Sequence, residues 1–276
     1  MSFFYRLLLP AACFFIAVAA LSAQQTFPQA APSDNRDRAY AFTNATIFVD
    51  YKTSITGATL LIRKGKVEAC GQQVQAPADA VVVDCAGKTI YPAFIDLYAT
   101  GYGLPAPKAE GAAPQQGEQV FSNKKGAYAW NEALKPEFNA AEAFSNDAKA
   151  AADWRKAGFG TLLTHRSDGI ARGTGALVAL SDEREHESVL LPRASHHLSF
   201  RKGTSTQNYP SSLMGCIALL RQTYLDADWY QTEGYKLEKN LSLEAWNDVQ
   251  NLTQIFEAGD KLDVLRIARL GQEFGK

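Results

Sequence analysis

The chain contains four histidines, and their positions limit the chemistry that they could support. His196 and His197 are adjacent, and neighbours in extended backbone point to opposite faces of a strand. Because the ligands of a metal ion must converge on one point, this pair is not expected to hold an ion, and a surface or hydrogen-bonded role is predicted. His186 lies in the charged run 182–187 and is expected to face solvent. His165 is the remaining candidate for a functional role.

His165 closes the apolar run 159–165, and Asp168 and Arg172 follow it closely. The strands of a barrel present functional side chains at their carboxyl ends, so these three residues could line a pocket. The alternative, which is the commoner role of a buried polar group, is that His165 forms a hydrogen bond with the loop that it starts. Both interpretations remain open from the sequence.

Other polar segments have simpler explanations. Gly173-Thr174-Gly175 lacks the glycine spacing and the lysine of a phosphate-binding loop, and it is interpreted as a turn. Asp260 precedes a helical pattern and is best explained as a helix N-cap, although it is also a candidate for lining a pocket. Cys216 has helical spacing from leucines and is predicted to be buried. Cys70 and Cys85 end two strands and could pair, but unpaired burial is the favoured interpretation.

The first 23 residues have the pattern of a cleavable signal peptide. Arg6 supplies a positive charge, Leu7–Ala20 is apolar, and Ala23 is a small residue at the expected cut, so the mature chain should begin near Gln24. Lipidation of Cys13 is disfavoured because this cysteine lies inside the apolar run. We therefore expect an exported, periplasmic protein. An apolar stretch this short does not indicate an integral membrane protein.

The rest of the chain divides into a linker and two structural regions. With 28 basic and 29 acidic residues the charge is balanced, which gives no indication of a nucleic-acid partner. Residues 24–38 form a polar linker. Alternating apolar residues and close turns predict a small β unit over 39–91, with a hairpin turn at Lys64-Gly65.

Residues 92–276 change to helices that alternate with short apolar strands, which predicts an α/β fold with a parallel sheet or barrel. A strand is expected over Thr89–Leu97, and residues 101–136 read as a long loop. One helix is expected from an N-cap at Asn139 to Gly158. About 185 residues are too few to close a barrel of eight strands, so the barrel is expected to be incomplete.

Short motifs within residues 41–100 carry a family resemblance. They occur in a fixed order, at residues 45–47, 60–67, 83–88 and 91–96. This order resembles the opening of amidohydrolase-superfamily enzymes, including imidazolonepropionase-like members. The resemblance implies a small N-terminal β-sandwich unit followed by a (β/α)8 TIM-like barrel, which would be incomplete here. It also implies hydrolysis of amide or other C–N bonds with zinc or another divalent metal.

The sequence departs from the family pattern at the metal ligands. Tyr98 and Thr100 stand where the resemblance implies a His-x-His pair, and Glu257 stands where it implies a later histidine. Asp96 matches the family's aspartate just before that pair. A phenol and an aliphatic hydroxyl cannot replace two imidazoles at neutral pH, so no metal or other cofactor is expected in this chain.

The motifs at residues 123–128 and 202–207 resemble an exported, bacteroidete-type branch of the family in which two amidohydrolase-like halves are fused. The chain would then be an N-terminal fragment whose partner is a missing C-terminal half or an oligomeric partner. The alternative is a non-catalytic binding or scaffold module that packs against a catalytic half. An incomplete barrel also predicts an exposed strand edge at 253–256. The residues expected to be partly uncovered are Phe159, Leu162, Leu163, Ile255 and Phe256.

Overall fold

A computed structural model describes residues 38–109 and 122–276. The predicted signal peptide, nearly all of the predicted linker and the middle of the predicted long loop lie outside these ranges. The chain divides into two compact units between Tyr91 and Pro92.

The first unit is a five-stranded mixed sheet. Its strands are β1 (Tyr40–Phe48), β2 (Ser54–Arg63), β3 (Lys66–Gly71), β4 (Val81–Asp84) and β5 (Thr89–Ile90). The central strand β1 pairs antiparallel with β2 and parallel with β4 and β5. The predicted hairpin is confirmed, and Lys64 and Gly65 have φ values of 52° and 71°, as a two-residue turn between twisted strands requires.

The second unit is a five-stranded sheet with helices, curled into an incomplete barrel. Its elements are β6 (Phe94–Thr100), α1 (Ala140–Ala143), α2 (Ala148–Lys156), β7 (Phe159–His165), β8 (Ala171–Ala179), α3 (Glu185–Ser188), β9 (Val189–Ser199), α4 (Leu213–Thr232), a 3₁₀ turn (Gly234–Lys236), α5 (Leu241–Val249), β10 (Thr253–Glu257) and α6 (Lys261–Phe274). The strand order is β10-β9-β8-β7-β6. The predicted α/β class with an incomplete barrel is confirmed.

The expectation of a wholly parallel sheet is wrong at β8. This strand runs antiparallel to both β7 and β9, whereas the pairs β6–β7 and β9–β10 are parallel. Only residues 166–170 separate β7 from β8, and a parallel neighbour would need a crossover of a dozen or more residues.

Two predicted elements are each divided in the structure. The strand expected over Thr89–Leu97 is interrupted before Phe94, which separates β5 from β6. The helix expected from Asn139 to Gly158 is two helices, because Phe144 is extended and the Ser145 N–H donates to the Gly103 carbonyl at 2.8 Å instead of continuing the first helix. Asn139 does cap the first of them, accepting from the Ala141 N–H at 3.1 Å.

The interpretation of Gly173-Thr174-Gly175 as a turn is also wrong, since all three residues lie within β8. Gly173 has a φ of 80°, which makes the pairing irregular there, and a side chain at this position would overlap the Phe138 backbone. The two glycines in this segment therefore indicate a β-bulge at which neighbouring atoms approach the strand closely. β9 and α5 had no counterpart in the sequence-based prediction.

The described end of the long loop is well packed. Residues 131–135 are all buried, and Leu134 forms an isolated parallel bridge with Ala171. The core of the second unit includes Trp246 and Cys216, which confirms that this cysteine is buried. Cys85 is buried and Cys70 is exposed, and both are free thiols, so the expected burial holds for Cys85 alone.

The sheet of the second unit ends at β10, as the sequence predicted, and at β6 on the other side. Leu162 and Leu163 are buried, contrary to expectation, because β6 and β8 flank their strand. Phe159, Ile255 and Phe256 are half-buried. None of the helices in the described ranges is both long and apolar enough to cross a bilayer.

Candidate functional site

The strand directions bring five polar or aromatic side chains to one end of the sheet. β6, β7, β9 and β10 run the same way, and the start of the antiparallel strand β8 meets their carboxyl ends. The side chains placed there are Tyr98, His165, Arg172, His197 and Glu257. We call this group the strand-end cluster.

A charged network spans three strands of the cluster. Arg172 Nη1 lies 2.6 Å from Glu257 Oε2 and 3.3 Å from Tyr98 Oη, and Tyr98 donates to the same Glu257 oxygen at 2.9 Å. The Arg172 side chain is only 3% exposed, whereas that of Glu257 is 26% exposed. A second arginine, Arg201, places Nη1 3.6 Å from Glu257 Oε1. The network therefore stabilises a buried guanidinium with a carboxylate that solvent can reach.

Two histidines stack beneath this network. The rings of His165 and His197 have centroids 3.8 Å apart and are within 4° of parallel. The centroid of the Tyr98 ring lies 4.3 Å from that of His165. His197 Nε2 is 2.8 Å from Ser195 Oγ. Gly175 permits this packing, because a Cβ there would lie 2.6 Å from both His197 Nε2 and Ser195 Oγ.

Burial keeps both histidines neutral. Burial, together with the charge of Arg172, lowers the pKa of His165 to about 4. Burial, together with the neighbouring histidines and Arg172, lowers the pKa of His197 to about 2. Both ring nitrogens of His165 and Nδ1 of His197 lack a hydrogen-bond partner among the described residues. The hydrogen bond expected between His165 and its loop is therefore absent from the described structure.

The acidic groups of the cluster respond to the arginines. Burial raises the pKa of Glu257, but the hydrogen bond from Arg172 and its charge outweigh this effect, so the pKa lies below its usual value. Burial and the hydrogen bond to Glu257 raise the pKa of Tyr98. At neutral pH the cluster thus contains a carboxylate, a neutral phenol, two neutral imidazoles and the Arg172 guanidinium, and the Arg201 guanidinium lies beside it.

Asp168 belongs to a second network. Its carboxylate pairs with Lys135 Nζ and accepts from the Thr204 N–H at 2.7 Å and from Thr204 Oγ1 at 3.0 Å. Burial raises the pKa of Asp168, but these hydrogen bonds and the Lys135 charge lower it by more, so the pKa lies below its usual value. Of the three residues that the sequence grouped, His165 and Arg172 therefore lie together, whereas Asp168 links the loop segments that carry Lys135 and Thr204.

The remaining candidates have local roles. Asp260 is exposed and caps α6, accepting from the N–H groups of Leu262 and Asp263. Asp96 Oδ1 accepts from the Tyr98 N–H at 2.8 Å, which fixes the backbone beside the cluster. Thr100 is exposed and pairs in register with His165.

His196 and His197 point to opposite faces, as the sequence predicted. His196 faces the core, where its ring meets Trp246 edge to face at 5.3 Å. Both histidines are buried, at 0% and 1% exposure, so of the two expected roles the surface role is wrong. The hydrogen-bonded role holds for His197, through Ser195. Their strand, β9, was missed in the sequence, and with it the contribution of His197, Ser195 and Arg201 to the site. A strand buried on both faces normally appears as a nearly continuous apolar run, and the mostly polar segment Ser195-His196-His197-Leu198-Ser199 lacks that signal.

The residues present do not fit the divalent metal that the family resemblance implies. Glu257 Oε2 already receives Arg172 and Tyr98. The nitrogen lone pairs of an imidazole lie in the plane of its ring, and these two rings are parallel, with centroids 3.8 Å apart. The two histidines therefore cannot both direct a lone pair at one ion about 2 Å from each nitrogen. Within 38–109 and 122–276, no three His, Cys, Asp or Glu side chains are grouped so that they could hold a metal ion.

Comparisons with known proteins give a structural likeness and no sequence-level match. No protein-family model and no curated protein matches the chain. In fold it is similar to an amidohydrolase from Thermotoga maritima, with a TM-score of 0.66 and 20% identity over 86% of this chain and 62% of that one. The chain thus spans less than two thirds of that protein's length. At 20% identity this likeness shows a shared fold, and that fold is the one that the resemblance in the sequence implied.

Two further solved structures superimpose too poorly to support an inference. Guanine deaminase from E. coli has a TM-score of 0.29 and 15% identity over 88% of this chain and 51% of that one. A prolidase complexed with n-methylphosphonate-l-proline has a TM-score of 0.26 and 13% identity over 46% of this chain and 26% of that one.

Proposed function

We propose that this chain, which has the fold of an amidohydrolase, contributes a half-barrel without a catalytic metal to a protein that hydrolyses amide or other C–N bonds. The observation that carries the proposal is the Arg172–Glu257 ion pair. At the strand ends, the buried guanidinium supplies the positive charge that a metal ion would otherwise bring, and it would repel such an ion. The half-barrel would then act by positioning and packing.

The partner in this proposal is a C-terminal amidohydrolase half or an oligomeric partner that supplies the catalytic groups. The open strands β6 and β10 support it, because edge strands readily pair with a further strand. On β6, Phe94, Ile95 and Leu97 are 64%, 58% and 64% exposed, which is costly for a surface that stays in water. The proposal includes export to the periplasm, on the pattern of residues 1–23.

Elemental analysis and a hydrolysis assay together test the proposal. After dialysis against a weak chelator, the full chain should contain no stoichiometric zinc and should not hydrolyse amide substrates. Adding the C-terminal half of a family member that carries the His-x-His motif should raise the midpoint of the thermal melt and give turnover that a strong chelator abolishes. About one metal ion per chain, or chelator-sensitive turnover by the chain alone, would overturn it.

A second candidate function is a binding module. This function is favoured by Arg201, which is 72% exposed and lies next to the strand-end cluster. The nearby Glu257 carboxylate is already paired with Arg172. Binding of a small molecule by the chain without turnover supports this function.

A further inference from the structure

Two guanidinium groups share one carboxylate at the strand ends. Glu257 Oε2 is 2.6 Å from Arg172 Nη1, and Glu257 Oε1 is 3.6 Å from Arg201 Nη1. In the part of the chain that the structure describes, neither arginine has a second carboxylate within 4 Å. Two positive charges therefore face one negative charge.

The two arginines differ in how firmly they are held. Arg172 is 3% exposed, and its Nε also donates to the Gly169 carbonyl at 3.1 Å. Arg201 is 72% exposed, and its contact with Glu257 is longer than a hydrogen bond. An exposed pair of this kind contributes little to stability, so the Arg201 guanidinium can exchange Glu257 for another anion at little cost.

The backbone of Arg201 is nevertheless fixed. Its N–H donates to Ser199 Oγ at 3.0 Å, and Ser199 Oγ donates to the same Gly169 carbonyl that receives Arg172. Gly169 has a φ of 99°, and a Cβ there would lie 2.6 Å from the Ala133 carbonyl oxygen, so the glycine is required. One carbonyl thus contacts both Arg172 in β8 and Ser199, the last residue of β9, which fixes the backbone of Arg201. Only the side chain of Arg201 needs to move to bind a ligand.

Further polar groups border the same place. Tyr98 is 37% exposed and presents its ring and its hydroxyl beside Glu257. Beneath it lies His165, fully buried, with both ring nitrogens unpartnered among the described residues. A buried polar group without a partner calls for an additional group that supplies one.

From this geometry we propose that the strand ends bind a small organic carboxylate, with Arg201 as the residue that recognises it. A guanidinium presents two parallel N–H donors that match the two oxygens of a carboxylate. Tyr98 covers the apolar part of the ligand. The site goes beyond the proposed packing role, because it gives the half-barrel a ligand of its own.

Isothermal titration of the full chain tests the proposal, with N-acetylglycine as the probe and its uncharged methylamide as the comparison. N-acetylglycine should bind, and the methylamide should bind at least about tenfold more weakly, because charge-assisted hydrogen bonds are lost. Arg201→Gln should weaken N-acetylglycine binding by a similar factor. Glu257→Gln should strengthen it, because the competing carboxylate is removed.

Arg221→Gln is the matched control, because Arg221 is also an exposed, ion-paired arginine of the second unit, 54% exposed and paired with Glu273. It should bind N-acetylglycine as the unsubstituted chain does. Equal binding of acid and methylamide, or unchanged binding in Arg201→Gln, would overturn the proposal. Inorganic phosphate that binds more tightly than N-acetylglycine would also overturn it, by assigning the site to a phosphate. Since only binding is measured, the result is independent of turnover.

Discussion

The imidazole rings of His165 and His197 lie face to face, 3.8 Å apart and within 4° of parallel. Stacking at this distance is unfavourable once both rings are charged, since two imidazolium groups would repel each other. The fold enforces neutrality by burying both rings beside Arg172, which disfavours a further positive charge. The pair therefore makes the stability of the second unit depend on pH.

We expect the free energy of unfolding to decrease as the pH falls from about 6.5 towards 4. The unfolded chain protonates its histidines near the usual pKa of 6.5, whereas native His165 does so near about 4. Above the unfolded pKa both states are neutral and the histidine has no effect on stability, whereas below it protons bind the unfolded state alone and so favour unfolding. The slope should approach about 1.4 kcal/mol per pH unit for each buried histidine.

His165→Phe tests this dependence, because phenylalanine keeps the ring and removes the proton site. Its unfolding should take up about one proton fewer between pH 6.5 and 4 than that of the unsubstituted chain. Urea melts at several pH values, followed by tryptophan fluorescence, give the slope for the second unit, where all four tryptophans lie. His186→Gln is the control, since its side chain is 72% exposed. Equal slopes for His165→Phe and the unsubstituted chain would refute the idea.

Removing the charge of Glu257 should destabilise the second unit. Glu257→Gln leaves the buried Arg172 guanidinium without its carboxylate, and breaking a buried ion pair costs about 3–5 kcal/mol. Because Glu257 is 26% exposed and water can partly replace it, we expect a loss of about 2 kcal/mol in urea melts. Asp153→Asn breaks the exposed pair with Lys156 and should change the free energy by less than about 0.5 kcal/mol. Similar effects from the two variants would contradict a special role for Glu257.

Local sequence signals predicted the parts of the fold that local interactions determine. The Lys64-Gly65 hairpin, the Asn139 and Asp260 caps and the β10–α6 unit all follow from neighbouring residues. The bulge at Gly173 depends on contacts with Phe138, 35 residues away, which no local pattern encodes. The site was predicted in part: Tyr98, His165, Arg172 and Glu257 were named, but His197 and Arg201 required knowledge of β9.

The predicted export signal can be tested on the protein itself. Cleavage after Ala23 should give a mature chain that begins at Gln24, because Leu21-Ser22-Ala23 places small residues at the cut. N-terminal sequencing and intact mass measurement of periplasmic material provide the check. Ala23→Arg should slow processing, whereas Ala31→Arg, in the predicted linker, should not. An intact Met1, or a lipid on Cys13, would show that the signal has been misinterpreted.

Gly175 should be intolerant of even one additional methyl group. A Cβ there would lie 2.6 Å from His197 Nε2 and from Ser195 Oγ, and both of these side chains are fully buried. Neither can move away without breaking the Ser195–His197 hydrogen bond or the stack on His165. Overpacking of this kind typically costs about 1–3 kcal/mol, so Gly175→Ala should lower the urea midpoint of the second unit accordingly. Gly259→Ala is the control, because its Cβ would meet one side-chain atom, Asp263 Oδ2, at 3.2 Å, and no backbone. A double variant, Gly175→Ala with Ser195→Ala, should recover part of the lost stability, because the second change removes one of the two clashing atoms. If Gly175→Ala is as stable as the unsubstituted chain, the stacked histidines are less tightly confined than the structure indicates.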